Sequence, residues 1–451
     1  MNSSDLEFEL LKTNKKKILF FVGIVCVVVI LVASVLNLIR AKYRTTQSMP
    51  LYNATVNYTP YDFKMVAMYQ ENESGEYESI DTVPSSGYSL NMEESYCEVG
   101  DAIDNSVSMS YEDGKVYIGV VNKGTKCYLY FDEYELTLKS ELLTFYSDVE
   151  TRTSFSSTVT NTTTGTIYKS ADESQYDNDG EVYYFAGAPT DNWVYFAGFY
   201  WRIIRINGDG SVRLIYSGNG AAATEGTVTQ IGTSTFSIDS NTYNNNAYVG
   251  YMYTLNEVHG TGTDSGIKGV LDNWYETNIQ NAGYADYIDA NAGFCGDRTP
   301  STSSSSSNGS GGTGTTLTYY GGYIRYNNSG TPTFGCSNDS DLYTVSSSNK
   351  GNKALTYPIG LITMDEVWYA GGYKAYNSIY YLCTNQYFLT MSSSDFLSSG
   401  VARVFIVMSH GGLDSGYVRA EFGVRPVINL RPDLEITGSG TITDPFQVVG
   451  A

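Results

Sequence analysis

From Ile18 to Ile39 the chain reads ILFFVGIVCVVVILVASVLNLI, 22 residues with no charge and with only Ser34 and Asn37 polar. As a helix this run would rise roughly 30 Å, the thickness of a bilayer's hydrocarbon core, so it is expected to span a membrane. The alternative, a cleaved signal peptide, fits less well. The apolar run is longer than a typical signal core and continues through the would-be cleavage site at Val32-Ala33-Ser34. On this reading residues 1–17 are a basic cytoplasmic tail, 18–39 a transmembrane helix and 40–62 a stalk.

Charge divides along the same line. Residues 1–44 hold seven basic and three acidic side chains, net +4, so the remaining 407 residues carry −25 against −21 for the whole chain. A body this acidic repels a phosphate backbone, and nucleic acid is not an expected partner. Only two histidines occur, His259 and His410, which argues against a multi-histidine metal centre or a histidine-based triad. Tyrosine is abundant, 41 of 451 residues, beside 45 glycines. That mixture suits contact surfaces better than it suits enzyme interiors.

The six cysteines bear on the compartment. Cys26 lies in the apolar run, and Cys97 with Cys127 falls within one candidate β-domain. Cys295 and Cys336 bracket a Ser/Gly-rich loop, and Cys383 is left over. Two local disulfides, Cys97–Cys127 and Cys295–Cys336, are expected and would place the body in an oxidising space; four buried thiols are the alternative. No CxxC spacing suggests zinc.

Residues 63–137 alternate polar and apolar in short stretches broken by turns, FKMVAMYQ, VSMSY, KVYIGVV and KCYLYF among them, which predicts an Ig-like β-sandwich spacer. Residues 138–181 are polar and read as a connector. Asp177-Asn178-Asp179-Gly180 invites a calcium reading, but an EF-hand frame would put Gln175 at its first position and Ala186 at its twelfth, so the frame fails. Asn207-Gly208-Asp209-Gly210 reads as the turn between strands WRIIRI and SVRLIYS. Arg202, Arg205 and Arg213 alternate with apolar neighbours there and are expected on a solvated sheet face. Ile267, Val270, Leu271, Trp274 and Ile279 recur at helical spacing after Asp264 or Ser265. Thr363 to Glu366 is a capping box for a second helix that Gly371-Gly372 ends. The stretch 299–316 is low-complexity and predicts a flexible loop.

After Tyr387 the chain runs YFLTMSSSDFLSSGVARVFIVMSHGGLDSGYVRAEF and then GVRPVINL at 423–430. Together with FYWRIIRINGDGSVRLIYSG, NAGFCGDR and KGNKALTYPIGLITMDEVWYAGG, this resembles the C-type-lectin-fold bacterial surface proteins related to formylglycine-generating enzymes. Some of these are variable proteins of diversity-generating retroelements. The resemblance covers about 185–450. It implies a fold class that is α+β and β-rich: an N-terminal single transmembrane helix, an Ig-like β-sandwich spacer and, over 182–451, a C-terminal C-type-lectin-like ligand-binding domain. It also implies that the block before GVRPVINL is a variable, ligand-binding face made by Phe388, Leu389, Ser394, Asp395, Leu397, Arg403, Ile406, Met408, His410, Gly412, Ser415, Gly416, Arg419 and Ala420. Val404, Val407, Leu413 and the closing strand would be its scaffold. The sequence lacks the EPN or QPD and WND motifs of calcium-dependent sugar binding, and it lacks a C-terminal cysteine pair for formylglycine chemistry.

The expected function is therefore a membrane-anchored extracellular binding or display protein, not an enzyme, with no cofactor or metal. Its partners would be an extracellular protein or glycan, and the membrane through 18–39. A structural stalk component without a ligand is one alternative. A surface hydrolase using Asp365 and Glu366 is another, weakened because adjacent residues at a helix start point in different directions.

Overall fold

The computed structural model describes residues 65–451 except 73–74, 85–87, 113–114, 120–121, 123, 134–136, 156–158, 160, 221–225, 302–310 and 375. The expected tail, span and stalk, 1–17, 18–39 and 40–62, lie outside the described residues, as does the centre of the expected flexible loop. Among the described residues strand outweighs helix, 34% against 14%, and no helix is long and apolar enough to cross a membrane. The longest α-helix there, Gly266–Tyr275, has 10 residues and rises only ~15 Å. This corrects the expected fold class and location as far as the described residues reach: they are β-rich, and no helix among them can serve as a single-pass anchor.

The chain forms two compact units, with the boundary at Glu135/Leu136. In the first, strand Thr125–Glu133 is central. It runs parallel to Met65–Glu71 and antiparallel to Tyr88–Leu90 and Tyr96–Val99. Tyr77–Ile80 and Ala102–Ile103 complete this six-stranded sheet, and Ser108–Glu112 with Lys115–Gly119 makes a separate hairpin. Hairpin residues Met109, Tyr111, Val116 and Ile118 pack on the small core of Met68, Cys97, Cys127, Leu129 and Phe131. Cys97 and Cys127 are disulfide-bonded and lie directly opposite one another on neighbouring strands. An Ig domain has antiparallel sheets and a cystine between them. The parallel pair and the in-sheet cystine make this a different arrangement, which the strand pattern alone could not distinguish.

The second unit begins where a connector was expected. Asp148–Thr151 and Thr166–Lys169 are the outer strands of a nine-stranded sheet, and Leu138 and Leu142 of helix Leu138–Thr144 enter its core. The sheet continues through Tyr183–Tyr184, Phe199–Ile206, Trp193–Phe196, Phe446–Val448 and Ile436–Thr437. Val212–Tyr216 pairs with both Phe199–Ile206 and Val427–Leu430. The Asn207–Ser211 turn joins its strands as the Gly-Asp-Gly pattern predicts, with Ser211 O accepting from Asn207 N at 2.8 Å.

A six-stranded second sheet runs Gly232–Ser234, Phe422–Val424, Phe388–Leu397, Val401–Val407, Leu413–Tyr417, with Thr318–Tyr319 also on Phe388–Leu397. The GVRPVINL segment is not one closing strand. It splits at Arg425-Pro426, giving Phe422–Val424 to this sheet and Val427–Leu430 to the larger one. Proline has no N–H for a ladder, which favours a break here.

Both predicted helices form. Ser265 caps Gly266–Tyr275 through Lys268 N, and Ile267, Leu271, Tyr275 and Ile279 are buried. Thr363 and Glu366 close the reciprocal capping box of Met364–Ala370. Cys295 and Cys336 are disulfide-bonded across the low-complexity loop.

Candidate functional site

The central hairpin of the second sheet sorts the predicted face into three groups. Phe388, Leu389, Ile406, Gly412 and Gly416 are buried, and so are the expected scaffold residues Val404, Val407 and Leu413. For these five the expectation of ligand contact is corrected, and it is corrected too for Ser394 and Asp395, each 0% exposed, which can act only by holding their neighbours in place. Strand Phe388–Leu397 is sandwiched within the unit, so its side chains on both faces meet protein, and a run with nine buried residues does not alternate inside and outside.

A second group collects at one end of the hairpin. Tyr319 lies opposite Asp395, Asp395 opposite Arg403, and Arg403 opposite Tyr417, so four strands contribute one cross-strand row on one face. Arg403 grips Asp395 with two bonds, Nε to Oδ1 at 2.7 Å and Nη2 to Oδ2 at 2.6 Å. A register shift between Ser393 and Asp395 turns Ser394 to the same side. There Ser394 Oγ meets Ser415 Oγ at 2.6 Å and donates to Asp395 Oδ2 at 3.1 Å. Burial raises the Asp395 carboxyl above the usual range, and Arg403 offsets only part of that. Arg403 itself is raised, its loss of solvent outweighed by Asp395.

Aromatic rings frame this row. Tyr319 and Tyr323 stack at 4.6 Å, Arg419 lies 4.3 Å over the Tyr243 ring, and Tyr417 is 46% exposed. The Tyr243 carbonyl accepts from Ala402 N at 2.8 Å, which anchors that loop beside the hairpin. Arg419 is exposed and has no carboxylate partner among the described residues. Leu397, at the end of its strand, and Ala420, in the turn at 418–420, are both half-buried and border this end.

The third group, Met408 and His410, lies with the buried Gly412 in the turn at the opposite end of Val401–Val407, a seven-residue strand that spans roughly 20 Å. The expected face is thus not continuous. His410 stacks on the exposed Tyr376 at 3.8 Å instead. Sequence reasoning missed Tyr243, Tyr319, Tyr323 and Tyr417. The usable signal was LTYYGGYIRY just after the low-complexity loop, and the tyrosine inside SGYVRA.

A second polar cluster is structural. Arg202, Arg205 and Arg213, expected on a solvated face, are all at least 94% buried. Arg205 pairs with Asp177 and Glu366, both at 2.9 Å, and Arg213 with Glu366 at 2.7 Å. Remote carboxylates thus neutralise two of the three charges that local alternation assigned to water, while Arg202 bonds Asn192 Oδ1 at 2.6 Å and Pro189 O at 2.7 Å. Burial opposes ionisation of Glu366, but Arg213 and Arg205 outweigh it and hold the carboxyl below its usual range. Asp365, raised by burial against the partial relief of Arg325, sits in a separate ion pair. Both carboxylates of the hydrolase alternative are therefore buried and engaged. Lys350 bridges Asp179 and Asp209, so an ammonium links the Asp177–Gly180 segment that invited a calcium reading to the Asn207–Ser211 turn. No group of three or more His, Cys, Asp or Glu able to hold a metal occurs among the described residues.

Comparison with known protein families, curated proteins and solved structures finds no match.

Proposed function

We propose that the chain is a binding protein of an oxidising, extracytoplasmic space, with its recognition surface on the second sheet around Tyr319, Asp395, Arg403 and Tyr417. The observation that carries this reading is the cross-strand row, in which an Asp-Arg pair on adjacent strands is bordered by partly exposed tyrosines and by Arg419. Tyrosine gives a large contact area at little loss of side-chain freedom, and tyrosine and arginine are enriched among the residues that dominate binding energy at protein interfaces. The bidentate Asp395–Arg403 pair holds one guanidinium rigid before any ligand arrives, which lowers the entropic cost of binding. Arg419, stacked but not ion-paired, offers charge to an acidic group. In the diversified members of the group that the sequence resembles, the block matching 387–422 is the variable one, and in this chain that block supplies Asp395, Arg403, Tyr417 and Arg419. The two cystines support the oxidising compartment.

An extracellular protein is the favoured partner, with a glycan second. The test is a protein and glycan array probed with the chain from residue 45 onward, followed by Arg403→Ala and Tyr417→Ala in that chain. Each is expected to weaken a genuine hit by roughly tenfold or more, the range of an interface anchor. Hits that bind both variants as well as the unaltered chain would remove this face from consideration.

A further inference from the structure

Arg425 stands where the GVRPVINL segment crosses between sheets, just before the break at Pro426 that separates Phe422–Val424 from Val427–Leu430. It is 1% exposed. Its Nε donates to Tyr216 O at 3.0 Å, its Nη1 donates to Leu382 O at 3.2 Å, and its guanidinium lies 5.0 Å over the Phe388 ring. All of these partners are neutral, and Arg425 Nη2 has no hydrogen-bond partner. Arg202 reaches the same place from strand Phe199–Ile206, where it pairs across from Ile215, the residue before Tyr216. Its guanidinium lies 4.2 Å over the Trp193 ring and 5.1 Å over the Tyr381 ring. Among the described residues no carboxylate forms an ion pair with either guanidinium; their hydrogen bonds go to amide and carbonyl oxygens. Asp191, its Oδ2 accepting from Gly165 N at 2.6 Å, offsets Arg202 from beyond ion-pair distance, and no carboxylate does so for Arg425.

Both arginines touch one tight turn. Cys383 N donates to Tyr380 O at 3.0 Å, which closes Tyr380 to Cys383; Arg202 covers the ring of the second residue, and Arg425 holds the carbonyl of the third. The Tyr381 hydroxyl and, just past the turn, the Thr384 hydroxyl are buried and have no hydrogen-bond partner, like Arg425 Nη2. Nη2 shares its carbon with Nη1, so it lies beside the turn that Nη1 already reaches. Three groups able to donate thus surround one carbonyl and lack an acceptor. Buried polar groups are normally satisfied, and one left open carries its full desolvation cost. Burial also pulls Arg425 down to about 10 and Arg202 down to about 9, as expected of guanidiniums held out of water with too little opposing charge. Burial pushes the Tyr381 phenol up, so near pH 7 it is a neutral donor and not the missing anion.

We propose that Arg425, Tyr381 and Thr384 form a buried binding site for a monovalent halide, chloride in saline surroundings. Donors without acceptors call for a ligand that only accepts. A water molecule would satisfy the hydroxyls but leave the guanidinium charge uncompensated, and a divalent sulfate would bring more charge than one unpaired guanidinium cancels. A halide carries one negative charge and accepts from all three groups. At this position it ties the turn at 380–383 to the point where the chain passes from one sheet to the other, so the anion is a structural ligand of the second unit. Because the site exists only in the folded chain, halide stabilises the fold by mass action.

The test is thermal denaturation of the full chain at constant ionic strength as sodium gluconate is replaced by sodium chloride or sodium bromide. The melting temperature is expected to rise with the logarithm of halide concentration once the site is half-saturated. Thr384→Val removes one donor at nearly the same volume and should raise the half-saturating chloride concentration roughly tenfold, the worth of a hydrogen bond to a charged group. Arg425→Met should abolish the response. Crystals of the full chain grown in sodium bromide should show an anomalous peak within hydrogen-bond reach of Arg425 Nη2 and the two hydroxyls. If Arg425→Met does not fold, Thr384→Val and the bromide peak decide. A melting temperature indifferent to the exchange, an unchanged response in Thr384→Val or in folded Arg425→Met, or a water without anomalous signal in the site each overturns the proposal.

Discussion

Glu366 shows how one residue is read differently at each distance. Locally it is the third residue of a capping box, its Oε2 accepting from Thr363 N at 2.8 Å. At long range its Oε1 takes both Arg205 and Arg213. Removing one partner of a buried pair leaves the other charge unpaired, so Glu366→Gln should cost about 3 to 5 kcal/mol in denaturant unfolding, well beyond the cost of a lost cap alone, ~1 kcal/mol. The same carboxyl bears on acid stability. Its folded value lies below its unfolded value, so the stability it contributes is present above the ordinary glutamate range, ~4.3, and is lost as pH falls through the folded value. Asp365 and Asp395 are raised and act with opposite sign, contributing stability that is lost as pH rises through their folded values. Stability measured from about pH 6 down to about pH 3 should therefore fall more steeply for the unaltered chain than for Glu366→Gln. Parallel curves would show that Glu366 does not carry this share.

Among the elements, the hairpin Phe388–Leu397/Val401–Val407 and the strand after it decide the most. Gly416, expected to touch ligand, is instead a close-packing position. A Cβ there would meet Ile406 Cγ2 at 2.7 Å and the Phe422 ring at 2.9 Å. Gly416→Ala should destabilise by about 1 to 3 kcal/mol through overpacking, while Arg419→Ala, exposed and stacked on Tyr243, should change stability by roughly 0.5 kcal/mol or less. Thermal denaturation of the two variants checks this, and equal shifts would contradict the packing assigned to Gly416. The Cys295–Cys336 disulfide closes a separation of 41 residues. Its removal in Cys295→Ala/Cys336→Ala should cost roughly 3 to 4 kcal/mol if unfolded-chain entropy is the main term. Periodicity revealed both helices and the Asn207–Ser211 turn because each is set by contacts within a few residues. It misread Arg205 and Arg213 because their partners, Asp177 and Glu366, lie at remote positions, and it misread Arg202 because the Asn192 and Pro189 oxygens take its guanidinium inside the fold.

At the scale of the molecule, the two units differ in how much of them was legible. The first was readable as β with a cystine, but its parallel strand pair was not, since strand direction leaves no mark on alternation. In the second, residues 138–181 are polar enough to pass for a connector yet supply a helix, the exposed edge strand Asp148–Thr151 and, inside it, Thr166–Lys169, which pairs on both sides. The candidate site was half legible. Asp395, Arg403, Ser394, Ser415 and Arg419 come together, whereas Met408 and His410 lie at the far end of the strand and Phe388, Leu389, Ile406 and Gly416 lie in the core. Sequence by itself determined what short-range chemistry controls: β-rich composition, caps, turns, both cystine pairs and an acidic, tyrosine-rich body. Tertiary structure alone decided which face of each strand meets water, which charges are paired in the interior, and that Tyr319, Asp395, Arg403 and Tyr417 share one row. Those outcomes depend on register and on partners distant in sequence, such as Arg205 and Glu366, 161 residues apart, and a pattern of period two carries no record of either.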